Sequence, residues 1–135
     1  MKQEEKDLLL KDLCARLPYG DGVKVEYNGE KYKIANVSIC NETITIYGER
    51  GYPMEVEIKK VKPYLFPLSS MTEEQKKEYR KVCDLDMEIL ENRPMKGEPF
   101  PAMFNSQDWL DAHHFDYRGL IPMGLANDAT GLNIY

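Results

Sequence analysis

Cysteine is scarce: Cys14, Cys40 and Cys83 are the only three in 135 residues, and none lies close to another. Neighbours so spaced build no C-x-x-C redox pair and no metal knuckle, and an odd number makes no disulfide framework. Long apolar runs are missing as well, since nothing approaches the roughly 20 residues that span a bilayer. The opening Met1-Lys2-Gln3-Glu4-Glu5-Lys6-Asp7 is too charged to begin a secretory signal. Neither G-x-x-x-x-G-K-[ST] nor G-x-G-x-x-G occurs, and no serine sits in a glycine-rich elbow. These gaps predict a soluble, reduced, cytoplasmic protein with no membrane partner, no cofactor motif and no preassembled reaction centre.

Positive charge is also short. The formal net charge is −5, and all the excess acid falls after residue 68, where 12 acidic residues face 7 basic ones. Residues 20–68 carry 7 of each sign. Because nucleic-acid affinity comes largely from Lys and Arg displacing counterions, the acidic half is a poor partner for phosphate backbones and the neutral half stays open. A hydrophobic content of 42% with 30% charged residues is that of an ordinary globular chain.

What is present is a run of two-residue periodicity. Val23, Val25 and Tyr27 alternate with Lys24 and Glu26, then Asn28-Gly29 supplies the pair best suited to a type I′ hairpin turn. A second strand follows from Lys31 to Ile39. Its apolar phase changes between Ile34 and Val37, which predicts a β-bulge near Ala35-Asn36. Thr43 to Tyr47, rich in β-branched residues, and Met54 to Ile58 complete four strands. The expected fold class is α+β: an N-terminal helix, a four-stranded antiparallel SH3-like small barrel or curved meander, a long helix and a short C-terminal helix. Residues 1–68 would form the first helix and β module, with 69–135 packed on it as one compact unit.

The first helix should run from Gln3 to Leu17, with Leu10, Leu13, Cys14 and Leu17 as its apolar stripe and charged residues elsewhere. Pro18, Gly20 and Asp21-Gly22 end it. Lys60 to Leu68, with two prolines, reads as an extended strap or a final irregular strand. Ser70 with Glu73, or Thr72 with Gln75, offers a capping box for a helix from Thr72 to Glu91, whose apolar face holds Tyr79, Val82, Cys83, Met87 and Leu90. The segment from Arg93 to Asn105 reads as a loop that packs through Met95, Phe100, Met103 and Phe104. A short helix from Gln107 to His113 carries Trp109, and turns follow; the last residues, Asn127 to Tyr135, are loosely held unless Leu132, Ile134 and Tyr135 dock.

Lys60 to Glu74 (KVKPYLFPLSSMTEE) and Asn105 to Ala126 (NSQDWLDAHHFDYRGLIPMGLA) carry a family likeness. They resemble a group of small uncharacterised proteins found in phages and mobile elements of Bacteroides and related gut bacteria. The resemblance implies an intracellular protein of phage or prophage origin. It brings no catalytic residue with it.

Candidate sites are few. His113-His114 beside Asp108, Asp111 and Asp116 invites a metal reading, but adjacent helical histidines point about 100° apart and helical zinc pairs need a spacing of three or four. Histidines packed in the turn that ends the helix are the better expectation, and no metal ligand is assigned. Asp116-Tyr117-Arg118-Gly119 is the best candidate for more than packing. Its Asp and Arg would pair to lock a turn, or with Tyr117 and Trp109 would meet a partner. Tyr47, Tyr52 and Tyr64 are expected as exposed aromatics of the β module. The leading function is thus a non-catalytic protein-binding module acting on host or phage machinery. A nucleic-acid-binding barrel using Lys59, Lys60, Lys62 and nearby tyrosines is the alternative, and a small enzyme comes third.

Overall fold

The computed structural model describes residues 1–19, 23–91 and 105–135. The readings made for Gly20 to Gly22 and for Arg93 to Phe104 lie outside them.

Helix α1 spans Gln3–Arg16. It buries Leu9, Leu10 and Leu13, but also Asp12 and Arg16. Counting from Leu9, Asp12, Leu13 and Arg16 fall at i+3, i+4 and i+7, so the inward stripe carries an acid and a base among its leucines. Cys14 is half-buried at its margin.

Strands β1 (Lys24–Tyr27) and β2 (Glu30–Ser38) form the first hairpin. Asn28 and Gly29 turn it with φ of +51° and +81°, the doubly left-handed backbone that this two-residue connection requires. Strand β3 (Thr43–Tyr47) pairs with β2, and the register jumps from Ile34 opposite Ile46 to Asn36 opposite Thr45. Ala35 is the extra residue, and it returns Val37 to the face opposite Ile44. Strand β4 (Pro53–Glu57) closes the meander, with Val56 opposite Ile44. Val25, Ile34, Ile44, Ile46 and Val56 all face one core with the α1 leucines.

Strand β5 (Lys62–Pro67) resolves the strap reading in favour of a strand. It pairs antiparallel with β1, Val25 lying opposite Pro63. Farther along it pairs in parallel with two two-residue strands, β6 (Phe115–Asp116), where turns are expected, and β7 (Asn127–Asp128), at the start of the expected loose tail. The sheet order is β4-β3-β2-β1-β5-β6, with β7 also on β5. The expected four-stranded barrel is therefore corrected to an open, mixed sheet of seven strands among the described residues. Strand β4 pairs with β3 alone, and α1 together with Leu120, Leu125 and Ala126 covers the core that barrel closure would have sealed.

Helix α2 (Glu73–Glu91) starts at the second capping box. Thr72 N–H donates to Gln75 Oε1 (2.9 Å) and Gln75 N–H to Thr72 Oγ1 (3.1 Å), satisfying two free donors of the first turn. The Ser70 hydroxyl donates to the Pro67 carbonyl (2.7 Å) and caps nothing. Tyr79 and Val82 pack on Trp109, Leu110 and Phe115. Met87, assigned to that face, is 56% exposed. Helix α3 (Asn105–Ala112) presents Trp109 and Leu110 to α2.

The C-terminal residues are docked rather than loose. Ile134 is buried against Tyr64 and Ala129, and the Tyr135 hydroxyl accepts from Lys24 N–H (2.9 Å) while donating to the Tyr64 carbonyl (2.7 Å). No helix among the described residues is long and apolar enough to cross a membrane.

Candidate functional site

The Asp116 to Gly119 stretch is locked onto α1 through Arg118. Arg16 Nε and Nη2 donate to the two oxygens of Asp12 (2.8 and 3.0 Å), and Nη2 also reaches the Phe115 carbonyl (2.7 Å), 99 residues away. Arg118 Nη1 donates to Asp12 Oδ1 (2.7 Å) across 106 residues. One carboxylate is thus shared by two guanidiniums, with Asp12 wholly and Arg16 almost wholly buried. The Tyr117 ring lies 4.5 Å from the Arg118 guanidinium and 5.4 Å from that of Arg16, within cation–π range of both.

Asp116 and Arg118 do not pair with each other. The Asp116 carboxylate accepts from the backbone N–H groups of Leu120 and Ile121 (both 2.9 Å), fixing the turn in which Gly119 takes φ of +78°. Tyr117 donates to Asp111 Oδ1 (2.7 Å). Burial raises the Asp111 carboxyl above its usual range, opposed by the Tyr117 hydrogen bond and the two arginines. Burial, then the same hydrogen bond, also raises the Tyr117 phenol. These contacts hold α1, α3 and the turn after β6 together, while Arg16 Nη1 stays buried without a hydrogen-bond partner.

Trp109 is buried too. Its Nε1 donates to Glu78 (3.1 Å), and its ring stacks on His113 (centroids 4.0 Å) and Phe115 (5.8 Å). His113 Nδ1 lies 2.8 Å from the Trp109 carbonyl. His114 adopts φ of +64°, stacks on Tyr135 at 3.7 Å, and keeps Nδ1 buried without a protein partner. Burial, and then the charges of Arg16, His113 and Lys24, push the His114 pKa down to about 4. Both histidines are packed in the turn after α3, and among the described residues no three His, Cys, Asp or Glu side chains stand ready to hold a metal.

Of the three tyrosines expected at the surface, Tyr64 is buried, its hydroxyl 3.4 Å from Glu26. Tyr47 and Tyr52 line two adjoining parts of a cleft between the β1–β2 hairpin and the loop joining β3 to β4, the parts sharing Lys31, Tyr32, Gly48, Glu49 and Gly51. One part, of about 370 Å³, is lined by Lys24, Lys31 and Lys33 with Tyr32 and Tyr47, against a single acid, Glu49. A wider part, of about 770 Å³, continues past Arg50 and Tyr52. Tyr52 is 82% exposed.

Pairing places Lys24 opposite Lys33 and Lys33 opposite Tyr47, a row across three strands on one face. Like charges directly opposite each other are destabilising. Lys24 relieves the conflict by turning its ammonium to the Ile134 carbonyl (2.5 Å) and the Tyr135 ring (5.8 Å). Among the described residues the side chains of Lys31, Lys33 and Arg50 have neither an ion pair nor a hydrogen bond. The cations expected from sequence behave otherwise: Lys59 pairs with Glu57 (3.2 Å), and Lys59, Lys60 and Lys62 do not line the cleft.

Sequence reasoning missed Asp12, Arg16, Tyr32, Lys31, Lys33 and Arg50. A local signal existed for the alignment of Asp12 with Arg16 and of Lys24 with Lys33, and none for Arg50 or for the distant partners of the buried charges. Helical spacing from Leu9 already aligns Asp12 and Arg16, and a two-residue turn at Asn28-Gly29 already sets Lys24 against Lys33. Comparison with known protein families, with curated proteins and with solved structures gives no match for the chain.

Proposed function

We propose that the protein is a non-catalytic binding module and that the cleft between the β1–β2 hairpin and the β3–β4 loop is where its ligand sits. The observation that carries this is the gathering of Lys31, Lys33 and Arg50, unpaired among the described residues, beside Tyr47 and Tyr52 on a chain of net charge −5. A positive, partly aromatic concavity of this size suits a negatively charged ligand. Asp111 and Tyr117, the titratable pair of the buried lock, are engaged with each other, which supports a binding role over a catalytic one for that region. The phage or mobile-element origin implied by the resemblance of the Lys60 to Glu74 and Asn105 to Ala126 segments fits a small module directed at host or phage machinery.

A protein partner is the second reading, favoured by the exposure of Tyr52 two residues from Arg50, since Tyr and Arg dominate interface hot spots. Titrating isotope-labelled protein with oligothymidylate and with polyglutamate, followed by amide chemical shifts, tests the site. Shifts confined to Lys31, Lys33, Tyr47 to Tyr52 and their neighbours are expected. Shifts centred on Asp116 to Arg118, or none with either polyanion, would remove the cleft as the binding surface.

A further inference from the structure

We infer that the ligand of this cleft is single-stranded nucleic acid, with bases stacked on Tyr47 and Tyr52 and phosphates met by Lys31, Lys33 and Arg50. The inference rests on the binding-cleft reading above and names its ligand class.

Three features select this class among anionic ligands. First, rings and cations alternate. Lys33 and Tyr47 are direct cross-strand partners, so an ammonium and an aromatic ring spring from backbones about 4.8 Å apart. A strand whose flat bases and charged phosphates follow each other closely can engage both at once, which is how sequence-tolerant single-strand binders work. An acidic peptide offers carboxylates to the lysines but no flat rings for the tyrosines.

Second, the rings are reachable from only one kind of nucleic acid. Tyr52 projects from a loop, 82% exposed, and the cavity beside Tyr47 measures about 370 Å³, at the lower end of the range for ligand pockets. Bases inside a duplex are already stacked and cannot enter it. Third, charge is local. Around the smaller cavity Lys31 and Lys33, with Lys24 turned aside, face one glutamate, while the acidic excess of the chain lies beyond residue 68. Glu30, at the wider end, is engaged by the Tyr32 hydroxyl (3.1 Å). A polyanion is therefore drawn to this end of the sheet and repelled from the helical side.

The test is fluorescence anisotropy with three labelled probes: a twelve-nucleotide oligothymidylate, a duplex of equal length and a polyglutamate peptide. The single strand should bind best. With three phosphate-facing cations its log–log salt slope should be about −2, so affinity should fall about 20-fold between 50 and 200 mM salt. Tyr52→Ala, at an exposed site that leaves the fold intact, should weaken oligothymidylate at least about fivefold, the lower bound for one lost base stack. Lys31→Glu with Arg50→Glu should abolish binding while circular dichroism stays unchanged. Equal affinity for the duplex, or a Tyr52→Ala variant as tight as the parent, would overturn the inference. Polyglutamate binding without oligothymidylate binding would overturn the ligand class yet leave the cleft standing. Failure of both polyanions to bind would overturn the two readings together.

Discussion

At the scale of single residues, the chain places its most expensive groups where they answer one another. Asp12 has no solvent contact and serves two arginines, and a buried charge stripped of its partner costs far more than the pair contributes. Asp12→Ala is therefore expected to lower stability by about 3–5 kcal/mol. Arg118→Ala, which leaves Asp12 paired with Arg16, should cost about 1–3 kcal/mol. Denaturant melts of the two variants test the order, and an Arg118→Ala variant as stable as the parent would return Arg118 to the list of binding residues. His114 sets a pH dependence. Burial first, then neighbouring positive charge, lowers its pKa from 6.5 to about 4. The unfolded chain takes up this proton near pH 6.5 and the folded one only near pH 4, so the contribution is complete above 6.5 and drains away as pH falls toward 4. Asparagine tolerates the left-handed backbone at this position. His114→Asn should thus lose less melting temperature than the parent between pH 7 and pH 4.5, and equal losses would mean that this imidazole is not held neutral.

At the scale of elements, local chemistry and register account for most boundaries. The reciprocal bonds of Thr72 and Gln75 start α2 where the capping pattern placed it. Thr72→Ala should destabilise the protein by about 1 kcal/mol, read by thermal melting, while Ser70→Ala leaves helix α2 with its cap. The turn at Asn28-Gly29 and the bulge at Ala35 were both legible, because hairpin chemistry and a phase change in a two-residue pattern are local signals. Strands β6 and β7 were not. Two residues are too few to show a period, and Phe115 and Asn127 become strand residues only because Phe66 and Tyr64 lie alongside them.

At the scale of the molecule, the boundary drawn at residue 68 does not divide the packing. Arg16 reaches the Phe115 carbonyl, Asp12 holds Arg118, and β5 takes both of its parallel partners from the second half. Leu120, Leu125 and Ala126 belong to the same core as Val25 and Ile44. A fragment of residues 1–68 is therefore expected to stay unfolded, shown by poor amide dispersion and no cooperative melt. A fragment with a sharp melt would mean that α1 and the meander suffice alone. The same contacts explain the cleft, whose lysine row stays tolerable because Lys24 is drawn aside by Ile134 and Tyr135 from the far end of the chain.

The sequence by itself determined what depends on near neighbours: the helix at Thr72, the tight first hairpin, the bulge, and the alternation that turns Val25 and Ile34 inward. Tertiary structure alone decided which charges are buried, which tyrosines are free and how the sheet ends. Asp12 and Arg16 read as surface residues until Phe115 and Arg118 arrive, and Tyr64 reads as exposed until Ile134 covers it. Period and turn chemistry act within a few residues. Burial and charge pairing are settled by groups a hundred residues apart, and no local pattern encodes that meeting.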